Sequence, residues 1–267
     1  MSTLGRPRLH LRRTDSTNDR ARELALGGAP HGTLVTAAAQ SAGRGRGGRR
    51  WSAPPGSALL MSLLLRTPPS LLPMIAAVAV CDVAGEDARI KWPNDVVVES
   101  SPPTVRAPSS QGRPKRGPQP TSEQQLAKLA GILIEGRPQE GWAVLGIGLN
   151  VAVELDQLPA ELRPGGARSA TSPLPAATLG LPREAIEPTL SLLLEALERR
   201  LAEPADASLA AWRSRDALLG REIAWTAGRG RARGIDGAGR LVVTLADGGQ
   251  TTLAAGEVHL QAVGERS

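Results

Sequence analysis

Four short segments of this chain hold residues whose types and spacing could do chemistry. The first is Ala42-Gly43-Arg44-Gly45-Arg46-Gly47-Gly48-Arg49-Arg50-Trp51. Its glycines let a ligand approach bare backbone N–H groups, and its arginines can grip phosphate through paired hydrogen bonds. No Gly-Lys-Ser/Thr follows, so it is not a Walker phosphate loop. A strand-like run rather than a helix comes next, which excludes a dinucleotide fingerprint. Taken alone, the tract reads equally as a flexible basic loop or an RNA-contacting segment.

The second segment, Ile90-Lys91-Trp92-Pro93-Asn94-Asp95-Val96, ends a strand in a lysine, an indole and two side chains suited to a metal or a ribose. Pro93 holds Trp92 extended, although Asn94-Asp95 would also make a plain turn between strands. In the third, Lys128-Leu129-Ala130-Gly131-Ile132-Leu133-Ile134-Glu135, a lysine opens a buried strand and Gly131 leaves room for a ligand or a neighbouring backbone. The fourth, Leu145-Gly146-Ile147-Gly148-Leu149-Asn150-Val151, is a strand thinned by two glycines. Either something large lies across it or a helix packs closely on it. Lysine is scarce: of 32 basic residues only Lys91, Lys115 and Lys128 are lysines, so one that persists is a candidate for its amine. Two of those lysines, the Gly/Arg loop and the Asn-Asp pair are what adenylation of a carboxylate would use. That reaction attacks the α-phosphorus of ATP and expels pyrophosphate, so it needs cations around the phosphorus and Mg²⁺ on the phosphates. Residue types and spacing reach a nucleotide-using enzyme and stop there.

The elements that must position these segments follow from the pattern of the chain. At 267 residues it can hold one large domain and a small one. With 41% hydrophobic residues and no Phe or Tyr, the core must be built from Leu, Ile, Val and Ala around five Trp. The single Cys81 excludes an internal disulfide or a Cys-rich metal site. The opening MSTLGRPRLHLRR has no apolar signal region, and the longest apolar stretch, Leu71 to Ala84, contains Pro73 and Asp82 and is too short to span a bilayer. The expected location is the cytoplasm, with no membrane partner. A net charge of +6 suits a nucleotide or another anion.

Strands are expected at Pro7–Arg13, Thr33–Ala39, Ser57–Arg66, Ala88–Trp92, Val96–Glu99, Lys128–Glu135 and Trp142–Val151, the last two as an antiparallel pair. Helices are expected after the capping run Asp15-Ser16-Thr17-Asn18, over Ser70–Gly85, over Glu184–Ala202 and around Leu209–Leu218. Residues 100–125, rich in Pro, Ser, Gln and Arg, are expected to form a disordered surface insertion. Past a boundary near Leu219, five short strands separated by Gly-containing turns suggest a small SH3-like barrel. The organisation is thus a catalytic unit over 1–218 and a barrel over 219–267.

The order and wording of the segments resemble the biotin–protein ligase family: Asp15-Ser16-Thr17-Asn18, the Gly/Arg loop with Trp51, Lys91-Trp92-Pro93-Asn94-Asp95, Lys128-Leu129-Ala130-Gly131-Ile132-Leu133 and Gly146-Ile147-Gly148-Leu149-Asn150 stand in family order along nearly the whole chain. The resemblance implies an α+β fold with a mixed, mostly antiparallel sheet flanked by helices, like class II aminoacyl-tRNA synthetases and biotin ligases. It also implies biotin, ATP and Mg²⁺ as ligands and a biotin carboxyl carrier protein as partner, and it leaves room for a homodimer. Ser16, Thr17, Asn18, Gln40, Arg44, Gly45, Arg46 and Lys128 would meet biotin. Arg44, Arg46, Arg49, Trp51, Lys91, Asn94 and Asn150 would meet ATP or the adenylate, and Asp95 the metal. Lys128 and Arg46 would be catalytic, and the loop would order over the adenylate to keep water out. Gly47 departs from the additional Arg that the family loop often carries.

About a dozen residues precede Asp15, too few for the winged-helix DNA-binding domain of some members, so an enzyme without repressor function or specific DNA binding is expected. Lipoate–protein ligation is the nearest rival and shares the adenylate chemistry. A basic nucleic-acid-binding module is a further one, although the Gly/Arg tract lacks interleaved aromatics for stacking bases.

Overall fold

The computed structural model describes residues 4–100, 125–137, 140–164, 174–254, 256 and 258–260. Seven strands form one sheet: β1 (Arg8–Leu11), β2 (Leu34–Ala37), β3 (Ala58–Arg66), β4 (Arg89–Lys91), β5 (Asp95–Ser100), β6 (Gln125–Arg137) and β7 (Trp142–Asn150), in the spatial order β1-β2-β3-β7-β6-β5-β4. Only β1 and β2 run parallel, and every other pair is antiparallel. The sheet is therefore mixed and mostly antiparallel, as expected. Most of the expected insertion, residues 101–124, lies outside the described residues. Its flanks, Ser100 and Gln125, form the last rung between β5 and β6.

Helices cover both faces. Helix α1 (Thr17–Leu26) is capped by Ser16, whose side chain accepts from the Asp19 N–H, and it ends at Gly27. Its buried Ala21 and Ala25 pack on Val35, Leu64 and Val144, on the same face as the glycine-rich segments. Helix α2 (Leu72–Ala84) is apolar nearly all round, as a helix enclosed by protein must be, and has Pro73 in its first turn. It packs with α3 (Ile186–Leu201) against the opposite face, where Leu59, Met61, Leu63, Leu145, Ile147 and Leu149 form the main core. Helix α4 is Ala205–Arg213, not the expected Leu209–Leu218. Pro204 precedes the first turn, where its missing N–H costs nothing, and small residues hide the apolar period. After it, Arg215 and Ala217 hydrogen-bond with Ile90 along the edge strand β4.

The C-terminal strands are β8 (Glu222–Trp225), β9 (Gly228–Ile235), β10 (Leu241–Thr244), β11 (Gln250–Leu253) and β12 (His259–Leu260), in the order β11-β10-β9-β8-β12. This is a C-terminal antiparallel sheet where a small barrel was expected, and among the described residues no pairing joins its edges β11 and β12 into a closed barrel. The sheet is not a loose appendage. Ile223, Ala232, Leu241, Val243 and Val258 belong to the same apolar core as α2 and β7. The Trp92 indole donates to the Gly239 carbonyl at 3.1 Å, and Lys91 Nζ to the Val258 carbonyl at 2.7 Å. No helix among the described residues is long and apolar enough to cross a membrane.

At this junction Asp216 accepts the Leu218 N–H through Oδ1 at 2.8 Å, while its buried Oδ2 has no hydrogen-bond partner. Burial raises its pKa to about 6, against the opposing pull of the Leu218 and Leu219 N–H groups. The folded protein thus holds this proton more tightly than the unfolded chain. The resulting stabilisation is complete below about pH 4 and is lost as pH rises through 6. Urea unfolding at pH 4 and pH 8 should show the wild type losing roughly 2–3 kcal/mol more than Asp216→Asn. Equal losses would mean that Asp216 ionises without penalty.

Candidate functional site

The site is built on the α1 face of the sheet, and a β-bulge sets its central cation. Asp95 pairs with Gly131 and Val96 with Ala130, but Val97 pairs with Lys128, so Leu129 is an extra residue in β6. In a regular strand, residues 128 and 131 would point to opposite faces. The bulge turns Lys128 to the side of Gly131, where an added Cβ would lie 3.2 Å from Lys128 Cε. The Lys128 backbone is held on its other flank by Pro175 and Ala177. Its ammonium meets Asp95 Oδ1 at 2.7 Å and lies 5.5 Å from the centre of the Trp51 ring, a cation–π arrangement.

Gly131 of β6 faces Gly148 of β7, and Gly146 faces Ser62 of β3. These glycines make a floor without side chains. A Cβ on Gly148 would fall inside the Trp51 indole, and one on Gly131 would lie 2.9 Å from Trp51 Cζ3. A Cβ on Gly146 would collide with the Asn18 amide. The thinned strand does have something large across it, the protein's own Trp51. The indole Nε1 is buried there without a hydrogen-bond partner.

At the far end of the floor the N-terminus of α1 presents the expected polar cluster. Gln40 Oε1 accepts from the Thr17 N–H at 2.7 Å and lies 3.1 Å from the Thr17 hydroxyl. The Ser62 hydroxyl reaches both Thr17 Oγ1, at 2.8 Å, and Asn18 Oδ1, at 2.6 Å. Asn18 Nδ2 donates to Glu135 Oε2 at 2.9 Å. Ser62 and Glu135 of this cluster are not among the expected site residues. Ser62 carries a signal, being the one hydroxyl inside the apolar strand Ala58–Arg66.

The Gly/Arg loop is a closed hairpin. Gly45 N–H donates to the Arg49 carbonyl at 2.7 Å, Trp51 N–H to the Gly43 carbonyl at 2.9 Å, and Arg44 bridges Arg50. Arg46 and Arg49 line a cavity of about 190 Å³ together with Lys91, Asn94, Asp95 and Gly256. Cations of the loop, the Lys91–Asp95 segment and the C-terminal segment therefore share one opening. The other candidates are engaged by partners within the protein. Arg44 turns to Asp19 and Glu135, each at 2.8 Å. Asn150, expected towards the phosphates, is buried and donates to the Ala177 carbonyl at 2.8 Å. Lys91 is spent partly on Val258, and Asn94 donates to the Ile132 carbonyl at 2.8 Å while lining the cavity. Among the described residues no group of three or more His, Cys, Asp and Glu could hold a metal. Asp95 is a single carboxylate at the cavity, and this fits Mg²⁺ that arrives on nucleotide phosphates and keeps its waters. Cys81 lies apart from the site, and burial pushes its thiol up to about 12, out of nucleophile range.

Gly148→Val should evict the indole from the floor. The expected result is greater acrylamide quenching of Trp51 fluorescence, measured against a Trp51→Leu background. Stability should fall by about 1–3 kcal/mol from overpacking. Unchanged quenching would show that Trp51 does not rest on the glycines.

Residues 10–151 match the biotin/lipoate A/B protein ligase family, and residues 218–260 match the biotin protein ligase C terminal domain. A bifunctional ligase/repressor BirA of Bacillus spizizenii is 36% identical over 160 residues, covering 55% of this chain but only 41% of that relative. The biotin--[acetyl-CoA-carboxylase] ligase of Mycobacterium tuberculosis is 32% identical across 93% of this chain and 87% of its own length. In fold, the chain is similar to the Aquifex aeolicus biotin protein ligase solved with biotin and ATP, with a TM-score of 0.68, 22% identity, and 96% of this chain and 99% of that one covered. With these matches along both the large sheet and the C-terminal one, the chain belongs to the biotin/lipoate A/B protein ligase family.

Proposed function

We propose that the chain is an ATP-dependent biotin–protein ligase, which forms biotinyl-5′-adenylate and passes the biotin to a lysine of a biotin carboxyl carrier protein. One observation carries this reading. The bulge in β6 sets Lys128 against Asp95, at the point where the glycine floor meets the cavity lined by Arg46 and Arg49. A carboxylate lying along the floor would end at an ammonium, with guanidinium groups beyond it for phosphates. The relatives matched along most of their length, named as biotin--[acetyl-CoA-carboxylase] ligases, favour biotin over lipoate. The convergence of charge on a concave site, rather than along an exposed stripe, disfavours a nucleic-acid-binding module.

In this reading biotin replaces Trp51 on the floor, with its ring system towards Thr17, Asn18 and Gln40. Gln40 Oε1 is committed to Thr17, so its Nε2 is the donor it offers a ureido carbonyl. The biotin carboxylate attacks the α-phosphorus, an O–P bond forms, and the bond to pyrophosphate breaks. Lys128, Arg46 and Arg49 stabilise the negative charge on the phosphorus oxygens. In the second step the carrier amine attacks the acyl carbon, loses its proton, and AMP leaves. Lys128 and Asp95 neutralise each other until substrates arrive. Lys128 then exchanges Asp95 for substrate oxygens; Asp95 at the cavity would hold Mg²⁺, which would screen the phosphate charge there. Trp51 covers the mixed anhydride and excludes water from it.

Pyrophosphate release with biotin, ATP and Mg²⁺ tests the reading, with lipoate in parallel. Biotin-dependent release is expected, and Lys128→Ala should slow it by about 10²–10³-fold, as the loss of a charge-stabilising donor does. Release with lipoate alone would move the substrate. Release with neither, from folded protein, would overturn the ligase assignment.

A further inference from the structure

We propose that Glu135 is a positioning residue that ties the small-molecule pocket to the Gly/Arg loop; its kinetic consequence rests on the ligase reading above. The carboxylate divides its two oxygens between two structures. Oε2 accepts from Asn18 Nδ2 at 2.9 Å, and Oε1 pairs with Arg44 Nη2 at 2.8 Å. The other guanidinium nitrogen of Arg44 pairs with Asp19 Oδ1 at 2.8 Å, in the first turn of α1. Arg44 is the third residue of the hairpin that carries Arg46, Arg49 and Trp51 across the floor.

The chemistry requires a carboxylate. Both groups facing residue 135 are donors, an amide NH₂ and a guanidinium, and only a side chain with two acceptor oxygens satisfies both. Glutamine, equal in size, presents one acceptor and one NH₂, so one contact becomes donor against donor. If the Asn18 amide turns over to relieve this, its oxygen leaves the Ser62 hydroxyl, from which it now accepts at 2.6 Å. The pocket then shows a reversed hydrogen-bonding edge to its ligand. If Arg44 is released instead, the hairpin keeps one of its two anchors. Asn18 is only 4% exposed, so its orientation has no solvent to compensate for a mismatch.

The experiment has two arms. In the first, ligand-free protein is treated with trypsin, and cleavage after Arg46, Arg49 and Arg50 is followed by mass spectrometry. Glu135→Gln should speed loop cleavage about tenfold. Arg44→Gln, a change on the exposed side of the same pair that also removes the Asp19 anchor, should speed it at least as much. The double variant should be no faster than Arg44→Gln alone, because Arg44→Gln already removes the Glu135 contact together with the Asp19 one. Cleavage at wild-type rates in Arg44→Gln overturns the tether, even if Glu135→Gln folds poorly. In the second arm, pyrophosphate release is titrated with biotin. Glu135→Gln should raise KM for biotin about tenfold and leave kcat within about twofold, a split that general loss of structure does not give. Faster loop cleavage with an unchanged KM overturns the positioning role. If wild-type protein releases no pyrophosphate, the ligase reading fails, and trypsin alone then decides whether Glu135 holds the loop.

Discussion

No Cβ fits at residues 131, 146 and 148 with Trp51 and Asn18 where they are. This steric constraint organises everything around it. Three missing side chains lower one face of a sheet whose opposite face is fully packed by Leu59, Met61, Ile147 and Leu149 against α2 and α3. A flat depression is thereby cut into a rigid surface without loss of strand pairing, because Gly131 and Gly148 remain paired on adjacent strands. Glycine inside a strand weakens it. Here the cost is met by the dense apolar layer beneath and by an indole above.

The charged groups follow from that surface. A depression without polar atoms cannot hold an anion, so the charges sit at its borders. Lys128 stands at one end by virtue of a single extra residue in β6, and the α1 N-terminus stands at the other. The loop spans the two, and its tip delivers Arg46 and Arg49 to the cavity that also holds Asp95. Two cations of the site have partners of opposite sign at hand: Lys128 has Asp95, and Arg44 has Asp19 and Glu135. This limits the field of a positively charged loop that would otherwise repel itself.

Much of this was legible in the sequence because it rests on local patterns. Asp15 to Asn18 announced a helix start, and Ser16 is its N-cap. Alternation and apolar runs located all seven strands of the large sheet, and the glycines of β7 announced a close approach. What remained hidden depends on distance along the chain. That Arg44 meets Glu135 instead of a phosphate, or that Lys91 is bonded to Val258, follows from tertiary packing, and no spacing rule encodes it. The bulge at Leu129 was invisible for a related reason: a one-residue slip in register is decided by the partner strand. Helix α4 was displaced in the reading because Ala and Ser fill its turns and give no period. The expected barrel rested on five short strands and the Gly-containing turns between them, and such spacing does not encode whether the two edge strands meet.

The rung formed by Ser100 and Gln125 has a consequence for how such a chain can grow. Both residues end strands that are already zipped together, so whatever joins them starts and finishes at neighbouring points. The entropy of closing such a connection rises only slowly with its length, by about 0.6 kcal/mol per doubling. Evolution can therefore lengthen this joint, or a protein engineer splice a reporter into it, with little effect on the sheet. The C-terminal sheet offers no such freedom. Its removal would strip the Val258 carbonyl from the buried Lys91 ammonium and the Gly239 carbonyl from Trp92. Of two segments that both look like accessories in the primary structure, one is a graft point and the other a keystone.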